Sequence, residues 1–106
     1  MEDTDYMKNF RTFDLAVTFY RLSRTLPLKG SLRDQLNRAA ASIPLNLAEG
    51  RGKLTLKDQI RFFSIAFGSL RECQAILILE QLETSPAWTI LDQLAACLYK
   101  LIKNAR

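Results

Sequence analysis

Apolar residues recur along this chain at three- and four-residue steps, and glycine and proline interrupt the pattern at residues 27–30, 50–52 and 86. Steps of three and four hold side chains on one face of an α-helix, and no stretch shows the strict alternation of a half-buried strand. The interruptions divide the chain into four helical segments, predicted at residues 10–26, 31–50, 55–83 and 86–104. Amphipathic helices joined by short connections predict an all-α fold, an antiparallel up-and-down four-helix bundle forming one domain over residues 1–106.

Each segment carries its own signals. In the first, Phe13, Ala16, Val17 and Tyr20 form a stripe that runs on to Arg24, and Asp14 suits the positive end of the helix dipole. Pro27 and Gly30 end it, and Ser31 is the predicted N-cap of the second helix, with Asp34 in the capping-box position. The second seam is Leu32, Leu36, Ala40, Ile43, Leu47 and Gly50. Pro44 lies inside it, removing a donor, so the helix is expected to kink or divide there, or else to end at Ser42. Thr55, with Asp58 three residues on, is the N-cap expected for the third helix. Ile60, Phe63, Phe67 and Leu70 mark one side of that helix, while Phe62, Ile65, Ala66, Ser69, Cys73 and Ile76 are assigned to the opposite side. A bundle helix needs one buried stripe, so a second predicts burial against another subunit and hence a homo-oligomer. Ser85 as N-cap and Pro86 as first residue open the fourth helix, with Ala87, Ile90, Leu94, Cys97 and Leu101 facing inward. Lys100, Lys103 and Arg106 suit its C-terminal end.

Composition adds boundaries. With 106 residues, 48% of them hydrophobic and 25% charged, the chain is expected to fold as a globular domain. A net charge of +4 permits an acidic partner such as RNA, DNA or an anionic surface. Cys73 and Cys97 lack CxxC spacing, and the chain has no histidine, so reduced core thiols are expected in place of a metal site. The absence of histidine also removes the commonest general base, and neither an enzymatic activity nor a cofactor is expected. The acidic start has no leader-like apolar run, and the longest apolar run, residues 75–79, is too short for a membrane span; a cytoplasmic protein is expected. Gly50, Arg51 and Gly52 match no phosphate-binding loop and read as an interhelix connection.

The candidate chemistry is polar and basic. Arg38, Ser42 and Glu49 fall on one side of a continuous second helix, with Asn46 at the flank and Arg51 beyond. One reading is a structural network, with Arg38 clamping Glu49 or a neighbouring subunit and Asn46 satisfying backbone freed by Pro44. The other makes Arg38 and Arg51 phosphate contacts. Arg21, Arg24, Lys29 and Arg33 surround the first connection, and Lys53, Lys57 and Arg61 open the third helix, where with Arg51 they form either a solvated face or a positive strip. Glu49 and Glu72 read as salt-bridge partners, and Trp88 and Tyr99 as core or interface aromatics before stacking platforms.

Two stretches carry a family resemblance: RAAASIPLNLAEG over residues 38–50, with Gln35 before it, and IAFGSLRE over residues 65–72. The chain resembles the four-helix bundle proteins encoded in intervening sequences of bacterial 23S ribosomal RNA genes, and more loosely the accessory variability proteins of diversity-generating retroelements. The resemblance implies a closed bundle assembled as a homopentamer, with Arg38, Ser42, Asn46, Glu49, Ser69 and Glu72 at signature positions; it implies no activity. Leu47 stands where the pattern has isoleucine, and Lys29, Gly30 and Ser31 add positive charge where an acidic residue and an aromatic are common. Two functions follow as expectations: a non-enzymatic oligomer holding structured RNA through basic residues, or a protein-interaction scaffold, including a reverse-transcriptase accessory subunit, with no nucleic-acid affinity of its own.

Overall fold

The computed structural model describes residues 10–105. They form four helices and no strand: α1 Arg11–Ser23, α2 Gly30–Arg51, α3 Leu56–Leu79 and α4 Pro86–Ala105. The helices pack in a closed circuit, α1 on α2, α2 on α3, α3 on α4 and α4 on α1, with α2 and α3 the most extensively joined. Gly50 meets Phe62 and Phe63, while Ser42 meets Ser69. Moving back along α2 therefore moves forward along α3.

The α2 seam agrees with its sequence pattern from Leu36 on: Leu36, Ala40, Ile43, Leu47 and Gly50 are buried and Ala39 joins them, while Leu32 is half-buried against the core. Pro44 leaves α2 a single helix. Gly50 is required by space, because a Cβ there would lie 2.8 Å from the Phe63 ring. Real Cβ atoms do not approach so closely, so any side chain would push α3 away from α2.

Three stripes differ from expectation. In α1 the buried positions are Thr12, Leu15, Ala16, Phe19 and Ser23, leaving Phe13 and Tyr20 half-buried against the core. Thr12 and Ser23 hid this stripe from a purely apolar pattern; Ser23 buries fully because its hydroxyl donates to the Tyr20 carbonyl at 2.7 Å. In α3 the second side divides: Ala66, Cys73 and Ile76 join the core, while Phe62 and Ser69 are half-buried and Ile65 is exposed. Phe63, Ala66, Leu70, Cys73, Ile76 and Leu77 are buried together, as steps of three and four at 100° per residue require. Ala66, Cys73 and Ile76 thus serve the core of this one chain. In α4 the buried row is Ala87, Leu91, Leu94 and Leu98, with Ile90, Cys97 and Leu101 on its edge.

The helix ends also correct details. Thr55 caps α3, accepting from the Asp58 N–H at 3.2 Å. At α2 no capping box forms: the helix begins at Gly30, whose φ of +62° suits glycine, and the flanking Lys29 makes no side-chain cap. The Ser85 hydroxyl donates to the Leu82 carbonyl at 2.7 Å and does not cap the amides of α4. The third helix stops at Leu79, short of the predicted residue 83, in a two-bond closure. Leu82 N–H donates to Leu77 and Gln81 N–H to Ile78, with Gln81 at φ +57°. By length and average composition α3 could cross a membrane, a property it shares with soluble core helices. The expected role of Arg106 lies outside the described residues.

Candidate functional site

The polar constellation assembles on the outer side of α2 and α3, without the Arg38–Glu49 clamp. Asn46 donates its side-chain amide to the Ser42 carbonyl at 2.9 Å and to the Ser42 hydroxyl at 3.0 Å. Ser69 on α3 donates to the same hydroxyl at 2.7 Å. Ser42 thereby ties two helices through half-buried groups, and among the described residues no buried side-chain polar atom lacks a partner. Asn46 serves Ser42, not the Ala40 carbonyl that Pro44 deprives of its donor. Arg38 and Glu49 lie eleven residues apart on one helix, about 16 Å at 1.5 Å per residue, too far for a clamp. Glu49 pairs instead with Lys53 at 3.0 Å. Arg38 and Glu72 are exposed.

The second grouping is basic and surrounds the α2–α3 connection. Arg51, Lys53, Lys57 and Arg61 fall within eleven residues whose only carboxylate is Asp58. Aromatic rings organise three of the four. The Arg51 guanidinium lies 4.4 Å from the centroid of Phe10; Lys53 and Arg61 lie 5.0 Å and 5.6 Å from that of Phe62. Such contacts attract a cation to the ring face without removing its charge. Phe10 is anchored in turn, its ring 6.4 Å from Phe63. Lys57 is exposed. The arrangement places cationic heads around one end of α2 and α3, where guanidinium and ammonium groups can donate to anionic oxygens.

The cations of the first connection behave differently. Arg33 donates to the Ser23 carbonyl at 3.0 Å, to the Leu28 carbonyl at 3.3 Å, to Asn37 at 3.1 Å and also to the Leu26 carbonyl. This guanidinium closes the end of α1 and the loop after it, and its donors are committed to the chain. Arg24 donates to the Tyr20 hydroxyl at 3.1 Å, and Lys29 is exposed. The 22 residues of α2 separate this group from the α2–α3 cations, about 33 Å of helix. The seven candidate contacts therefore form two groups at opposite ends of α2.

Sequence reasoning missed two kinds of residue. Leu54 and Leu56, in and beside the α2–α3 connection, are 101% and 60% exposed; a leucine between two lysines outside a helix was the available signal. The Arg33 clamp had none, since its acceptors are loop carbonyls. Among the described residues no cluster of three or more His, Cys, Asp or Glu is placed to hold a metal. Cys73 and Cys97 are free thiols. Burial, and secondarily the Glu72 carboxylate beside it, pushes the Cys73 thiol up to about 12, so it is not a nucleophile at neutral pH.

Compared with known proteins, the chain matches the family model described as 23S rRNA-intervening sequence protein over residues 7–104. No curated protein matches it, and no solved structure does.

Proposed function

Because the chain belongs to the 23S rRNA-intervening sequence protein family, we propose that it is a non-enzymatic, cytoplasmic, antiparallel up-and-down bundle that assembles with copies of itself, as the pentamer its signature implies, and holds structured RNA. The observation that carries the RNA reading is the cluster of Arg51, Lys53, Lys57 and Arg61 around the α2–α3 connection, three of them steadied over aromatic rings. Repeated once per subunit around a ring, a modest patch becomes a multivalent one, and phosphate contacts multiply without any need for base-specific groups. Structured RNA suits such a surface because double-stranded segments are recognised mainly by shape and backbone.

The test is fluorescence-polarisation binding of a structured RNA and a DNA duplex across a salt series, for the native chain and for Lys57→Glu/Arg61→Glu. The native chain is expected to bind RNA with affinity that falls steeply with salt, and the variant to lose most of it. Binding indifferent to salt, or unchanged in the variant, overturns the RNA reading. A second reading, a protein-interaction scaffold, is favoured by the exposure of Leu54 and Leu56 among those same cations. Absence of RNA binding near physiological salt would bring it forward.

A further inference from the structure

We propose that copies of this chain join head-to-tail through α2 and α4, the exposed row Arg38, Leu45 and Glu49 of one copy docking on the exposed row Asp92, Tyr99 and Lys103 of the next. The proposal rests on the oligomer reading above and supplies its joint.

The two rows have the same ruler. Each steps seven residues and then four, about 10 Å and 6 Å of helix rise. Their chemistry is complementary at every rung: cation against carboxylate, leucine against tyrosine, carboxylate against cation. In an up-and-down bundle α2 and α4 run in the same direction, so parallel copies bring all three rungs into register at once. A row slipped by one turn would set none of them together.

The middle rung is apolar and uncovered, with Leu45 at 68% and Tyr99 at 58% exposure. Beside Tyr99 lies a cleft of about 220 Å³ lined by Ser64, Phe67 and Ile102, largely apolar and open to a leucine side chain. The outer rungs are available as well. Among the described residues the one ion pair is Glu49 with Lys53, in which the Glu49 side chain remains 54% exposed and free to accept a second cation. Arg38, Asp92 and Lys103 are exposed.

Both rows lean toward α3. Ser42, beside Arg38 and Glu49, bonds Ser69 of α3, and Tyr99 shares its cleft with Ser64 and Phe67 of α3. The two docking faces are therefore adjacent faces of the bundle, set at an angle around α3 and not back to back. A head-to-tail contact between faces at an angle turns successive copies around an axis and closes a ring, where opposite faces would extend a filament.

The test is the solution mass by light scattering of four chains: native, Arg38→Glu/Glu49→Lys, Asp92→Lys/Lys103→Glu, and all four changes together, with helicity checked by circular dichroism. All four positions are exposed, so the fold is expected to persist. The native chain is expected at a multiple of 12.1 kDa, each double variant near the single-chain mass because like charges meet at both outer rungs, and the quadruple variant back at the native mass. A native chain that is monomeric at micromolar concentration overturns both the oligomer reading and this joint. A native oligomer whose double variants still assemble, or whose quadruple variant fails to reassemble while helical, overturns the joint and leaves the oligomer standing.

Discussion

Cys73 shows how one position couples burial to pH. Its thiol sits in the α3 core stripe with no exposed surface, and its pKa is raised from an ordinary 9.0 to about 12. The folded state therefore favours the protonated form. Stability from this group is complete below about pH 9 and is lost as pH climbs toward 12, because the unfolded chain releases the proton first. The urea midpoint is expected to fall across that interval, and Cys73→Ala, which has no proton to lose, is expected to flatten the fall even though its midpoint starts lower. An alkaline profile identical in the two chains would show that Cys73 does not carry it. Arg33 teaches the opposite lesson at the same scale: a cation that reads as a surface contact in sequence is spent on the chain's own carbonyls.

At the scale of the element, helix ends separate what local chemistry can announce from what it cannot. Thr55 announced its cap correctly because the acceptor and the amide it meets are three residues apart. Ser85 did not, since the Leu82 carbonyl left by the preceding turn claims its hydroxyl. The end of α3 is set by Gln81 in the left-handed region at φ +57°, a conformation costing roughly 1 kcal/mol for a residue with a Cβ. Gln81→Gly is expected to stabilise the chain by about 1 kcal/mol in urea titration, since glycine meets the same closure without that cost. A variant less stable than the native chain would mean that the Gln81 side chain contributes more than its backbone strain removes.

For the whole molecule, what matters is where the charges fall. The two basic groups stand at opposite ends of α2; the α2–α3 group sets Arg51, Lys53 and Arg61 over the rings of Phe10 and Phe62, and the other sets Arg24 over Tyr20. If RNA binds there, Arg24→Glu/Lys29→Glu at the far end is expected to change RNA affinity by less than about threefold at moderate salt, since charges separated by more than a Debye length of about 10 Å are largely screened. A loss as large as that of Lys57→Glu/Arg61→Glu would place the contact across both ends. Assembly belongs to this scale too. The exposed apolar groups that could support it are Leu45, Leu54, Leu56 and Tyr99, together with Ile65, Ile78 and Leu79 of α3; of the α3 residues that suggested an oligomer in sequence, Ile65 is the one left exposed.

The sequence by itself determined that there are four helices, where the breakers fall between them, the α2 seam and the family. These depend on local backbone preferences and on a periodicity written into adjacent turns. It did not determine which side of α1 is the core, because Thr12 and Ser23 become core residues only when neighbouring helices close over them, nor that Ala66 and Cys73 share one core with Phe63 and Leu70. Nor did it give the partners of Arg33, Glu49 and Asn46, since a long polar side chain reaches several acceptors and the tertiary structure decides which lies within hydrogen-bonding distance. The common spacing of the α2 and α4 rows was already present in the sequence. Only packing showed that both rows face outward and lean toward the same helix.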